Sequence, residues 1–241
     1  MEDELLVSDP PARPVLSDGL PNPADWFGSY RDPSLTELEL KALDWLDGFY
    51  ETEHLLAARK WAIRLRPNAS PELRLAALVH DAERHFPGGP TNTPRYFDEP
   101  GYLFTHSMRC AEFVDSFLAR VDGVDEDFRY RVRCLVTRHE VGGGAEADIL
   151  QAADSLSFLE TLRWLTVDWV QTGRYTAETA KVKHSYMLTR MRPPEAYDLG
   201  LPLYELAIRD LEHADEIRLD GRRQIASDYR LLVGLDDSLP V

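Results

Sequence analysis

The stretch 75–86, LAALVHDAERHF, ends an apolar run on a histidine followed directly by an aspartate. Its reading decides the fold, because a His–Asp pair at the end of a buried helix is either a polar edge to a helical core or part of a site assembled from several helices. The segment before it, RPNASPELRLAALVHDAERHF, has a break at Pro67–Asn68, a capping serine at Ser70 and Pro71 in the first helical position. A helix is therefore expected from Pro71 to about Phe86. Upstream, Leu38, Leu40, Ala42, Leu43, Leu46 and Tyr50 recur at three- and four-residue steps, and Leu55, Ala58, Ala62 and Leu65 continue them. Ser34 with Glu37 has the spacing of a capping box and places a helix start near Leu35.

Downstream, PGGPTNTPRYFDEPGYLF (87–104) reads as a Gly/Pro-rich loop of the kind that borders sites. Five further segments with helical spacing follow, the last beginning near Leu201 and running to Leu235. No alternating strand pattern or internal repeat interrupts them. The expectation is an all-α, single-domain helical bundle of about seven to nine helices. Residues 1–25 are acidic, hold five of the 16 prolines and lack periodicity, so they read as a flexible arm. The domain is then 26–241, with a core at about 50–165 and C-terminal helices at about 166–235.

The 241 residues carry a formal net charge of −15, which excludes broad binding to nucleic-acid polymers or anionic membranes, both of which need a basic surface. A small anionic substrate is still compatible, because a bound cation reverses the local field. The two cysteines, Cys110 and Cys134, form no motif and fit a reducing compartment. With no leader pattern and no membrane span, a cytoplasmic location is the expectation. The apolar residues of YRLLVGL (229–235) leave packing onto the core or a homodimer contact open.

Residues able to ligate a metal are spaced one per predicted helix: His54, His80 with Asp81, His106, His139 and Asp154. Such separations let each helix point one ligand into the core of a bundle. Imidazole and carboxylate together suit iron, manganese or zinc, and the absence of cysteine from the set argues against a structural zinc site. His85 falls on a different helical face and His213 lies in a polar segment, so both read as non-ligands. Glu83 and Glu140, beside the ligand candidates, read as orienting or proton-transfer groups or as solvated acids. The segment TAKVKHSYMLTRMR concentrates Lys181, Lys183, His184, Arg190 and Arg192, and Lys183, Met187 and Arg190 share a helical face. That face is either an anion-binding wall or a solvated surface. GGG at 142–144 is either a close backbone approach or a simple turn, and the five tryptophans read as core.

The order H…HD…H…H…D resembles the HD-domain superfamily of metal-dependent phosphohydrolases. It is carried by EHLLAARKWA, LAALVHDAERH, FTHSMRCAEFV and VTRHEVGGGAEADILQAADSLSFLE, from about residue 50 to 165. The last of these is similar to the closing segment of two-metal members. The resemblance implies two divalent ions, iron or manganese foremost, with magnesium, nickel, cobalt or zinc also compatible. His54, His80, Asp81 and Asp154 would hold one ion, and His106 and His139 the other, with Asp81 bridging. Asp81 and Arg84 would be the catalytic pair, Arg84 standing where many members carry lysine. Arg84, Lys181, Lys183 and Arg190 would bind substrate. The implied activity is hydrolysis of a phosphate ester or anhydride of a nucleotide or other small phosphorylated metabolite. A smaller related group, the mixed-valent di-iron oxygenases, shares the ligand order and is the alternative.

Overall fold

The computed structural model describes residues 22–90 and 98–235. The expected arm lies outside the described residues up to residue 21; its last residues, from Pro23, join Trp26 of the domain in a 3-10 turn (Pro23–Trp26) capped by the Asn22 side chain. Eleven α-helices follow: α1 (Glu37–Trp45), α2 (Thr52–Leu65), α3 (Pro71–Val79), α4 (Pro100–Leu118), α5 (Glu126–Arg138), α6 (Ala145–Thr161), α7 (Arg163–Gln171), α8 (Ala177–Thr189), α9 (Pro194–Glu212), α10 (Arg222–Ser227) and α11 (Tyr229–Val233). The described residues contain no strand. The all-α reading holds, but among the described residues the count exceeds the expected seven to nine because the 35–65, 145–173 and C-terminal segments are each broken.

The breaks have local causes. α3 stops at Val79, and after a turn at His80 and Asp81 a separate 3-10 turn spans Ala82–His85. The 145–173 segment divides at Leu162, whose backbone leaves the helical region (φ −93°, ψ 13°). The C-terminal segment divides at Gly221, in the left-handed conformation that starts α10, and at Asp228, whose carboxylate caps α11 at Leu231 N. α9 starts seven residues before the expected Leu201, with Pro194 in its first turn, and runs through Pro202. Similarly, α4 takes over the end of the expected loop, since Glu99 caps Gly101 N and Tyr102 N ahead of Pro100; residues 91–97 of that loop lie outside the described residues. The capping box of α1 is Thr36 with Glu39 instead of Ser34 with Glu37, because the Ser34 carbonyl and hydroxyl accept from Arg59.

α2 and α6 form the centre and pack along one another. Both are buried around nearly their whole circumference, which explains the weakly amphipathic sequence of α6. Small residues line them, Ala57, Ala58 and Ala62 on α2 with Ala147, Ala152 and Ala153 on α6, all almost fully buried. α4 pairs with α5, and α3 lies between α5 and α2. α8 and α9 close the opposite side of α6. The described C-terminal segment packs back on the core: Tyr229, Leu231, Leu232 and Val233 are buried, and the Leu231 and Leu232 carbonyls accept from Gly28 N and Tyr30 N. Trp26, Trp61 and Trp164 are buried, while Trp45 and Trp169 are half-buried against the core. No helix among the described residues is long and apolar enough to cross a membrane.

His184 on α8 is fully buried and donates from Nε2 to the Thr166 hydroxyl of α7 at 2.9 Å, since that hydroxyl gives its own proton to the Arg163 carbonyl. Burial, reinforced by Arg163 and Lys183, pushes its pKa down to about 3. The unfolded imidazole titrates near ~6.5, so between these values the unfolded chain binds the extra proton. The stability contributed is complete above about pH 6.5 and is lost as pH falls toward 3. His184→Gln should therefore lose less melting temperature than the wild type between pH 7 and pH 5; equal slopes in a thermal scan would count against this assignment.

Candidate metal centre

Five elements deliver six side chains to one buried point. His54 comes from α2, His80 and Asp81 from the turn ending α3, His106 from α4, His139 from the end of α5 and Asp154 from α6. The four imidazoles are at most 1% exposed, and Asp81 and Asp154 are nearly buried. His54 Nε2 lies 3.2 Å from His80 Nε2, and Asp154 Oδ1 is 3.5 and 3.4 Å from those two nitrogens. Donors bound about 2.1 Å from a single ion stand roughly 3–4 Å apart, so these separations match the edges of a coordination polyhedron. A second group is formed by Asp81 Oδ1 with His106 Nε2 at 2.8 Å and His139 Nε2 at 3.8 Å. Asp81 Oδ2 faces the first group, 3.8 Å from His54 Nε2 and 4.0 Å from His80 Nε2. One carboxylate thus presents an oxygen to each of two triads that could hold metal ions.

Each imidazole is oriented by its other nitrogen. His80 Nδ1 and His139 Nδ1 bond the carbonyls three residues back, Ala77 O at 2.9 Å and Val136 O at 2.7 Å. A carbonyl only accepts, so both rings carry the proton on Nδ1 and turn Nε2 inward. His54 Nδ1 donates to the Ser157 hydroxyl at 2.9 Å, which itself donates to the Asp154 carbonyl. His106 Nδ1 meets Glu83 Oε1 at 2.7 Å, and Glu83 is held by Arg109 at 3.0 Å. This outward bonding is the arrangement that supports metal-ligating histidines. The fit is tested most strictly by His139: its Nε2 is wholly buried and has no hydrogen-bond partner. An orphaned basic nitrogen aimed at a carboxylate oxygen fits a cation.

The electrostatics set the rings apart. Burial, aided by His106 and His80, pushes His139 down to about 4, which keeps it neutral and able to donate its lone pair. Burial also disfavours charge on His80, but Asp81 and Asp154 outweigh it and raise His80 to about 9. Against the upward push of burial, Arg84 and His80 hold Asp81 well below the usual carboxylate range, and Arg190 with His54 does the same for Asp154.

The cleft over this centre is lined by Arg84, Lys183 and Arg190 on its polar side and by Phe158, Trp169 and Tyr175 among its apolar walls. Arg84 lies with Nε 3.2 Å from Asp81 Oδ1, and donates to the Tyr102 hydroxyl at 2.9 Å. Lys183 is lowered to about 8 by burial. Arg190 donates to Glu140 and Asp154 together, and from Nε to Ser155 Oγ at 2.8 Å. Lys181 lies outside the cleft, paired with Glu178 and Glu212. His85 packs against Phe49 and Phe86 away from the centre, and His213 is exposed. Glycines 142 and 143 take positive φ in a turn pinned by Asp148 Oδ1 on Gly143 N at 2.8 Å.

Two charged cleft residues were missed in the sequence. Arg174, in the α7–α8 link, lies over the Trp169 and Tyr175 rings at 5.2 and 5.6 Å. Glu51, just before α2, is a buried carboxyl whose pKa is raised by burial and by Asp81. No motif or spacing marks either residue. Comparison with protein-family models, curated proteins and solved structures gives no match.

Addition of Mn²⁺ or Fe²⁺ at about 100 times the dissociation constant should stabilise the fold by about 2.7 kcal/mol, read as a rise in melting temperature that a chelator reverses. Asp81→Ala should abolish the rise, and Glu83→Ala should weaken metal affinity by about 10–100-fold through the loosened His106 ring. A melting temperature indifferent to divalent ions would contradict the metal reading.

Proposed function

We propose that the protein is a metal-dependent phosphohydrolase of the HD type that cleaves a phosphate ester or anhydride of a nucleotide or other small phosphorylated metabolite. The observation that carries the proposal is the pair of buried His/carboxylate triads joined across Asp81, with Arg84 against the same carboxylate and a cation-lined cleft above. Two divalent ions in these triads would supply Lewis-acid polarisation of a phosphoryl group and an activated water.

The chain's own residues supply the rest. Asp81 holds the two halves of the centre in register. Arg84 is a quarter exposed at the cleft floor, with Nε by Asp81, Nη1 on the Tyr102 hydroxyl and Nη2 3.4 Å from His106 Nε2; in this reading its fork turns from these partners to phosphoryl oxygens and the charge that develops on them. Lys183 offers a second cation from α8. Arg190 is committed to Glu140 and Asp154, so in this reading it positions ligands and does not bind substrate. Lys181 takes no part. Phe158, Trp169 and Tyr175 shield the site from water and give the organic part of the substrate an apolar surface, with Arg174 at the same wall.

Phosphate release from a panel of nucleotides, dinucleoside polyphosphates and sugar phosphates, with Mn²⁺ or Fe²⁺ present, tests the reading. Asp81→Ala is expected to fall to background, Arg84→Ala to lose about 10²–10³-fold in kcat/KM, and Lys181→Ala to match the wild type. Absence of phosphate release, or release undiminished in Asp81→Ala, would refute the assignment; oxygen uptake by an iron-loaded sample would favour the oxygenase chemistry instead.

A further inference from the structure

The structure assigns Glu140 as a seventh protein ligand, which gives the second metal position its own terminal carboxylate; the inference rests on the metal-centre reading above. His139–Glu140 repeats the local construction of His80–Asp81. In both pairs the histidine is the residue that ends a helix, with nearly the same backbone (φ −61°, ψ −27° at His80; φ −58°, ψ −32° at His139). Both rings bond the carbonyl three residues back and turn Nε2 inward. Both histidines are followed by a nearly buried carboxylate.

Glu140 Oε1 stands 3.9 Å from His106 Nε2 and 3.9 Å from His139 Nε2, so it faces the two imidazoles of the second triad equally. His139 Nε2, buried and without a hydrogen-bond partner, points into the same space. Its other oxygen, Oε2, is held by Arg190, which fixes the carboxylate in this orientation.

The result is a centre with matching halves. The first ion position has His54, His80 and Asp154, and shares Asp81 Oδ2. The second has His106, His139 and Glu140, and shares Asp81 Oδ1. Arg190 ties the halves together from outside, since it donates to the outer oxygens of both terminal carboxylates, Asp154 Oδ2 and Glu140 Oε2. Each Arg190 bond leaves the other oxygen of its carboxylate turned toward imidazoles. Four protein donors per ion still leave positions open for substrate and water in a six-coordinate metal. Three carboxylates also make the pair harder in character than a histidine-rich site, and so better suited to manganese or iron than to zinc.

The test is a Mn²⁺ titration in which the free ion is counted by its electron paramagnetic resonance signal. The wild type is expected to take two ions per chain. Glu140→Gln should take one with wild-type affinity and bind the second at least tenfold more weakly. Two ions bound by Glu140→Gln at wild-type affinity, or both weakened alike, would make Glu140 only a counter-ion of Arg190 and overturn the inference. A wild type that binds no ion would instead remove the metal-centre reading beneath it. Should Glu140→Gln fail to fold, anomalous diffraction from Mn²⁺-loaded wild-type crystals decides: Glu140 Oε1 within about 2.2 Å of the second ion is expected, and a gap of more than about 3 Å overturns it.

Discussion

The Asp81 carboxylate is the constraint on which the rest of the structure depends. Its two oxygens face two groups of imidazoles that arrive on different helices, and it is almost fully buried between them. An ionised carboxyl in such a place is costly unless compensated. The compensation comes from Arg84 and the surrounding histidines, which hold its pKa well below normal. The helix α3 ends one residue earlier so that the chain can turn and deliver His80 and Asp81 side by side. The centre therefore determines where helices stop as much as the helices determine the centre.

The central packing serves the same end. The alanine-rich faces of α2 and α6 let two nearly all-buried helices pack along one another, and this brings His54 to Asp154 and Ser157. α4 and α5 form the other wall and bring His106 and His139. Histidine orientation does not rest on any ion. Every inward Nε2 is set by an outward bond to a carbonyl, a hydroxyl or a carboxylate, so the donors are preorganised. Arg190 adds a second brace across Asp154 and Glu140, which turns a residue of apparent substrate-binding character into part of the scaffold.

Much of this was legible in the sequence, for identifiable reasons. Ligand-type residues spaced one per helix, at 54, 80, 106, 139 and 154, converge because each ends or interrupts an apolar helical face, and periodicity reports that. Ser70 with Pro71 marked the start of α3 for a local reason. Other features were not legible. Nothing at Leu162 signals a break, because tertiary packing decides it. Arg190 reads as one more cation on a basic helix, and only contacts 36 and 50 residues away reveal its partners. Lys181 and Lys183 are two residues apart, and the fold sends one outward to acidic neighbours and the other into the cleft. Arg174 has no pattern at all; its place follows from the path of a short link between two helices.

The claim that two ions share Asp81 is tested most directly by low-temperature electron paramagnetic resonance of the Mn²⁺-loaded protein. A bridging carboxylate couples the spins of its two ions, so the account predicts the spectrum of an exchange-coupled manganese pair at two ions per chain, lost in Asp81→Ala. The spectrum of magnetically isolated ions, or saturation at a single ion per chain, would contradict it.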